Sequence, residues 1–139
     1  MRKVILGMMM SLDGYAAGPN DEMDWLPPFN DESLWEDAHE EMWKVLDSAD
    51  TILLGRKTFQ IWENYWPAAG KNPSSSESDK RFSRYADETE KVVLSNTLGK
   101  TEWNNSRVVG GGDVAREIQK LKQGQGKNIA VAGGAGLAR

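Results

Sequence analysis

The sequence contains no cysteine and a single histidine, His39, among its 139 residues. Disulfide bonds, thiolate catalysis, cysteine-ligated metals and multi-histidine metal sites are therefore excluded. No apolar run approaches the ~20 residues that a membrane-spanning helix requires. The length is that of one domain. We expect a single cytoplasmic domain that binds neither membrane nor metal.

The chain also lacks an excess of positive charge. Its 17 basic and 21 acidic residues give a formal net charge of -4. Binding to duplex nucleic acid usually requires a basic face. No nucleic-acid partner is expected, which leaves small-molecule enzymes, nucleotide-binding modules and interaction domains as the function classes to consider.

Short apolar runs alternate with helical patterns along the chain. The first run, residues 3–10, is nearly continuous and predicts a strand that is buried on both faces. Further apolar runs predict strands at 51–55, 91–95, 107–110 and 128–133. Amphipathic patterns predict helices at 31–48, 56–65, 79–86 and 114–121, and another after Gly133. This alternation predicts an α/β fold with parallel strands and helices on both faces of the sheet.

Polar and proline-containing segments predict two loops. Residues 11–30 contain glycine and proline, and loops of this length in compact domains are often functional. Pro67 is expected to end the second helix, and residues 67–80 are expected to form an exposed loop.

Three predicted strands end in residues that let a ligand approach the backbone. They are followed by Gly55-Arg56-Lys57-Thr58, by Ser95-Asn96-Thr97 and by Gly133-Gly134-Ala135-Gly136. Open parallel sheets bind ligands outside the carboxyl ends of their strands, and glycine at a helix start exposes N–H groups to phosphate. Together the three segments predict a site for a phosphorylated ligand. Individually each has a simpler interpretation, as a tight turn or a solvated helix start, and no complete dinucleotide-binding or P-loop motif is present.

The chain resembles the dihydrofolate reductase-like superfamily, and most closely the C-terminal reductase domain of bifunctional riboflavin-biosynthesis deaminase–reductases and their stand-alone relatives. The matching segments occur in the family's order: Ser11-Leu12-Asp13-Gly14, Glu22-Met23-Asp24-Trp25, Leu53-Leu54-Gly55-Arg56-Lys57-Thr58, Val92-Val93-Leu94-Ser95 and Val131-Ala132-Gly133-Gly134-Ala135. The resemblance implies a three-layer α/β fold with a mostly parallel central sheet. We predict the strand order 4-3-2-5-1, which would place Gly55 and Gly133 on either side of one crevice.

The same resemblance implies an NADPH-dependent reductase that transfers hydride to a pterin- or pyrimidine-like heterocycle. It assigns the cofactor pyrophosphate to Gly55, Arg56, Lys57, Thr58, Gly133, Gly134, Ala135, Gly136 and Leu137. It assigns the adenosine 2′-phosphate end to Ser95, Asn96 and Thr97. The nicotinamide is expected near the loop that follows the first strand. The choice between NADPH and NADH stays open at this point.

A reductase of this kind also needs a proton donor, and a carboxylic acid in a dry pocket can supply one. Asp24 and Asp31 are the catalytic candidates, and Asp13 and Trp25 are the candidates for substrate binding. Each has a structural alternative. Asp31 is a good helix N-cap, Asp24 an exposed loop acid, Asp13 a turn residue and Trp25 a core residue.

The sequence stops at Arg139, about one turn into the last predicted helix. Members of the resembled family continue through further strands, so we expect the domain to be C-terminally incomplete. The first strand would then lie at the sheet edge, to be covered by a continuing chain or by a homodimer partner. A nucleotide-binding module without turnover is the alternative to an active reductase.

Overall fold

The computed structural model describes residues 1–26, 32–110, 112 and 114–138. The order of strands and helices is the one that the sequence predicts: two helices lie between the second and third strands, and no helix separates the third strand from the fourth. The strands are β1 (Val4–Leu6), β2 (Ala49–Gly55), β3 (Glu90–Leu94), β4 (Ser106–Val109) and β5 (Asn128–Ala132). The helices are α1 (Glu32–Asp47), α2 (Arg56–Ala69), α3 (Glu77–Glu88), α4 (Val114–Gln123) and α5 (Ala135–Ala138).

The strands form one sheet in the order β1-β5-β2-β3-β4, which is the predicted order counted from the opposite edge. Every neighbouring pair is parallel. The chain places β3 and β4 on one side of β2, and β5 and β1 on the other. The strand order therefore reverses between β2 and β5, where Leu54 lies opposite Ala132. The predicted fold class and strand order are confirmed.

Two apolar clusters fill the space on either side of the sheet. Alternate residues of β2 point in opposite directions, because side chains alternate along a strand. Ile52 and Leu54 join a large cluster with residues of α1, α2 and α3, whereas Leu53 joins a smaller cluster with Leu121 of α4. This arrangement confirms the three layers.

The prediction for the first strand is wrong in extent and in burial. The strand covers Val4–Leu6 rather than residues 3–10, and it pairs only with β5 among the described residues. Val4 and Leu6 are 39% and 48% exposed. An apolar run can indicate a strand, but it does not show whether a neighbouring element will cover it.

The prediction that Pro67 ends the second helix is also wrong. α2 continues through Pro67 to Ala69, and α3 already begins at Glu77. Proline removes one backbone hydrogen bond from the helix, but Trp62 and Trp66 of α2 pack on Phe82 of α3, with ring centroids 5.2 and 4.4 Å apart. This aromatic contact holds the last turn of α2 in place.

Candidate functional site

The glycine turns of β2 and β5 lie side by side at the carboxyl edge of the sheet, the edge at which all five strands end. Leu54 and Ala132 are register partners, so Gly55 and Gly133 are the next residues of two neighbouring strands. This is the point at which the strand order reverses. The structure thus brings together two of the three segments that the sequence singles out, at the place where open parallel sheets bind ligands.

The N-terminus of α2 is built without an anionic partner of its own. Gly55 is the N-cap residue in extended conformation and makes no side-chain capping bond. The first turn contains no acidic residue and instead carries Arg56 and Lys57. Cations are normally unfavourable beside the positive end of a helix dipole. The arrangement is the one expected where an anion binds.

The turn after β5 is shaped by Leu137 of α5. A methyl group on Gly133 would lie 2.8 Å from Leu137 Cδ2, and one on Gly55 would lie 3.8 Å from Leu137 Cβ. A side chain at position 133 would therefore require the end of the flexible Leu137 side chain to move, independently of any ligand. Gly134 and Gly136, in contrast, face open space and leave the backbone of the turn accessible. Leu137 contacts the two strand ends through its side chain, although the sequence predicts it among the cofactor ligands.

The turn after β3 lies on the other side of β2. Ser95 Oγ accepts hydrogen bonds from the backbone N–H groups of Thr97 and Leu98, at 3.2 and 3.0 Å, so it stabilises the turn. Sequence reasoning overlooked Gly110, which follows β4 at the same edge. A methyl group there would lie 2.5 Å from the carbonyl oxygen of Ser95. The run of glycines at 110–112 was the available signal.

The N-terminal loop, defined here as residues 7–26, contains three of the four predicted catalytic and substrate-binding residues. Asp13 accepts a 2.6 Å hydrogen bond from Ser11 Oγ in a local turn. It therefore has the turn-forming role that is the alternative to substrate binding. Asp24 is exposed and Trp25 is 39% exposed, so neither lies in a dry pocket. Asp31 lies outside the described residues.

The N-terminal loop also contains a contact that the sequence does not suggest. Asp21 Oδ2 accepts a 2.6 Å hydrogen bond from Lys57 Nζ at the start of α2. This contact lowers the pKa of Asp21, through the hydrogen bond first and the charge of Lys57 second. The turn-forming residues before Asp21 predict a loop, but no local signal connects it with a residue 36 positions later.

Other candidate sites in the described residues are weak. No cluster of three or more acidic or histidine side chains in this part of the chain could hold a metal ion. Two open cavities of about 420 and 430 Å³ lie at the opposite, amino edge of the sheet, bordered by residues 124–128 and by Asp50. Within the same described ranges, no helix is both long and apolar enough to cross a bilayer.

Comparison with known proteins identifies the family of this chain. The model for the RibD C-terminal domain matches residues 2–139. The uncharacterized protein YyaP of Bacillus subtilis is 32% identical over 98% of this chain, and the uncharacterized protein YwjB of the same organism is 28% identical over 98%. The alignments cover 65% and 66% of those two relatives, so this chain spans just under two thirds of their length. With its parallel sheet and paired glycine turns, the chain belongs to the RibD C-terminal domain family.

Proposed function

We propose that this domain is an NADPH-dependent reductase that transfers hydride to a pterin- or pyrimidine-like heterocycle. The observation that carries the proposal is the adjacency of the turns at Gly55 and Gly133 at the reversal of strand order, in a member of the RibD C-terminal domain family. The family supports a reductase of the dihydrofolate reductase-like superfamily. The cytoplasmic location expected of a cysteine-free chain belongs to the same proposal.

The carboxyl edge suits the pyrophosphate of a dinucleotide. The uncapped N-terminus of α2 offers free N–H groups, and Arg56 and Lys57 supply positive charge beside them. The open space at Gly134 and Gly136 lets a phosphate approach the backbone of the second turn. We therefore assign the pyrophosphate to the two turns, residues 55–58 and 133–137.

The turn after β3 suits the adenosine end of the cofactor. Its position beside β2 places it next to the proposed pyrophosphate site. Ser95 Oγ accepts two backbone hydrogen bonds and lies 3.5 Å from Thr97 Oγ1, a long contact in which either hydroxyl can donate, so a hydroxyl proton of this pair can turn to a phosphate oxygen. We assign the 2′-phosphate to Ser95, Asn96 and Thr97, and we propose NADPH rather than NADH on the strength of this donor set and the nearby cations.

The bound cofactor would supply the hydride, and the chain would supply binding groups and the proton. The N-terminal loop follows β1 at the same edge of the sheet and is the part of the chain that can cover the substrate. We propose Asp24 and Asp31 as the acids that direct the proton, and Asp13 and Trp25 as substrate contacts. Asp24 must move into a drier environment to do so, because efficient proton donation by a carboxylic acid at neutral pH needs a raised pKa.

A nucleotide-binding module without turnover is the second candidate. The observation that favours it is the exposure of Asp13 and Asp24, which leaves the described residues without an acid in a dry pocket. In this alternative the phosphate-binding turns are retained and the catalytic half is not. The two candidates predict the same cofactor binding and differ only in turnover.

One experiment separates these candidates. The protein is titrated with NADPH and the dissociation constant is measured by fluorescence. The complex is then mixed with dihydrofolate or with the riboflavin-pathway pyrimidine, and loss of NADPH absorbance is followed. Binding with oxidation supports the reductase, whereas binding without oxidation by either compound supports the module. Absence of NADPH binding would contradict both.

We further propose that the domain forms a homodimer through β1. This strand exposes Val4 and Leu6 and has one free edge among the described residues. Apolar edge strands pair with other chains unless a charge or a covering element prevents it. Leu6→Lys should convert a dimer to a monomer in sedimentation velocity, and the exposed α2 variant Ile61→Lys should not. Equal sedimentation of wild type and Leu6→Lys would exclude this surface.

A further inference from the structure

A compact turn in the N-terminal loop holds the backbone of Asp21 in a defined position. The backbone N–H of Gly18 donates to the carbonyl of Glu22 at 2.8 Å, and that of Asp21 donates to the carbonyl of Gly18 at 3.1 Å. The Glu22 carboxylate accepts from the backbone N–H of Asn20 at 2.6 Å. Asp21 itself has a φ of 63°, in the left-handed region that few residues other than glycine adopt. The turn thus presents Asp21 on a braced backbone.

Asp21 is directed at a cation of the proposed cofactor site. Its carboxylate lies 2.6 Å from Lys57 Nζ, and both side chains remain largely exposed, at 76% and 72%. Exposed ion pairs contribute little to stability. The contact is therefore easily exchanged for a better anion and is not needed to hold the fold together.

The electrostatics of α2 favour an anion at this position. The first turn of α2 contains two cations and no acidic residue. This charge pattern opposes the helix dipole, which favours an anion at the N-terminus. Asp21 supplies negative charge there from a separate segment of the chain. A phosphate group would supply more charge and more acceptor atoms at the same place.

We propose that Asp21 acts as a latch. In the free domain its carboxylate pairs with Lys57 at the position that a ligand phosphate would take. A phosphate-bearing ligand displaces Asp21 from Lys57 and thereby releases the N-terminal loop. The proposal rests on the proposed function in one respect, namely that Lys57 binds cofactor phosphate. It adds that cofactor binding and loop mobility are coupled through one exchangeable ion pair. The free domain holds its loop against α2, and the loaded domain frees it to close over a substrate.

The decisive variant is Asp21→Asn, because asparagine tolerates the left-handed backbone while removing the charge. The matched control is Glu102→Gln, an exposed carboxylate that pairs with no cation among the described residues. Dissociation constants for NADPH are measured for both variants and for the wild type. The mobility of the loop is measured by nuclear magnetic resonance order parameters of its amides, with and without NADPH.

The latch predicts that Asp21→Asn raises the affinity for NADPH and lowers the order of the N-terminal loop. Asp21→Asn should bind NADPH about two- to fivefold more tightly than the wild type, as expected from removal of a weak exposed competitor. Its loop should be as mobile without ligand as the wild-type loop is with saturating NADPH. Glu102→Gln should match the wild type in both measurements. Unchanged affinity of Asp21→Asn, or a wild-type loop that NADPH does not mobilise, would overturn the latch.

A second probe separates failure of the latch from failure of the proposed function. Inorganic pyrophosphate carries the phosphate charge without the nucleotide. If the wild type does not bind NADPH but pyrophosphate mobilises its loop and leaves the Asp21→Asn loop unchanged, the latch holds and the reductase proposal fails. If NADPH binds while neither compound changes the order of the wild-type loop, the latch fails and the proposed function stands.

Discussion

The charged side chains at the two edges of the sheet differ in exposure and in the number of their partners. At the carboxyl edge, the cations Arg56 and Lys57 are exposed, and the single ion pair described there, with Asp21, is exposed too. At the amino edge, where the five strands begin, an extended polar network is formed. Its members contact one another in series across the sheet: Arg2, Asp50, Thr51, Glu90, Arg107 and Glu117.

The amino-edge network is partly buried and its groups have partners. Arg2 is 9% exposed and donates to Asp50, to Thr51 Oγ1 at 2.7 Å and to the carbonyl of Lys127 at 2.6 Å. Asp50 also accepts from the backbone N–H of Lys127 at 2.8 Å. Among the described residues, no buried side-chain nitrogen or oxygen lacks a hydrogen-bond partner. Charge at this edge therefore serves the fold.

The difference separates the contacts that stabilise the sheet from the proposed ligand site. In a parallel sheet all strand starts lie at one edge and all strand ends at the other. The polar contacts that stabilise the sheet are concentrated at the starts, so the cations at the ends are exposed and paired only through a surface contact. Substitutions at the amino edge should change stability, and those at the carboxyl edge should change ligand binding.

The largest expected effect comes from breaking the amino-edge network. Asp50→Ala leaves the buried Arg2 guanidinium without its carboxylate and should lower the free energy of unfolding by about 3 kcal/mol, the low end for a broken buried pair because Asp50 is 41% exposed. Urea unfolding measures this. Asp47→Ala, which removes an exposed 3.3 Å pair with Arg81, should cost less than about 1 kcal/mol. Equal losses in the two variants would contradict the contrast.

The next prediction tests whether the carboxyl edge serves ligand binding rather than stability. Arg56→Ala should weaken NADPH binding by about 1–2 kcal/mol, a five- to thirtyfold rise in Kd, which is the scale of one charge-assisted hydrogen bond. Its free energy of unfolding should stay within about 0.5 kcal/mol of the wild type, because Arg56 is exposed. Titration calorimetry provides the measurement. Lys71→Ala, at the other end of α2, is the control and should bind NADPH normally.

The third prediction concerns Lys91, near the amino end of β3, and is a dependence of stability on pH. The side chain is fully buried and Nζ donates to the carbonyls of Ala86 and Thr89 at the end of α3. Burial lowers the pKa of Lys91 from 10.5 to about 8. Between these values the unfolded chain holds a proton that the folded chain has lost. Stability should therefore rise with pH, by at most about 1.4 kcal/mol per pH unit.

Lys91→Met should remove this rise when unfolding is measured by denaturant between pH 8 and pH 10.5. Burial raises the pKa of Tyr85 to about 12, which acts in the opposite direction above pH 10, but it acts equally in the wild type and the variant. Lys100→Met replaces an exposed lysine and should leave the wild-type pH dependence intact. A Lys91→Met protein with the same slope as the wild type would contradict a depressed pKa.

Much of the carboxyl edge was predictable because its signals are local. Glycine after an apolar run indicates the end of a strand, and alternation of strands and helices implies parallel pairing. These two rules, with the family resemblance, place Gly55 beside Gly133. The amino-edge network was not predictable, since Arg2 and Asp50 belong to segments that only the sheet brings together. The same is true of Asp21 and Lys57, which lie 36 residues apart in the sequence.

The sequence by itself determined the class of the fold and the positions of the glycine turns, because periodicity and glycine placement act over a few residues, and the family resemblance added the strand order. Tertiary structure alone decided which apolar segments are covered. It left β1 half exposed, allowed α2 to continue past Pro67 through an aromatic contact with α3, and packed Leu137 close to Gly133. It also decided which charges meet. Burial and ion pairing depend on neighbours distant in the chain, and a local pattern does not record them.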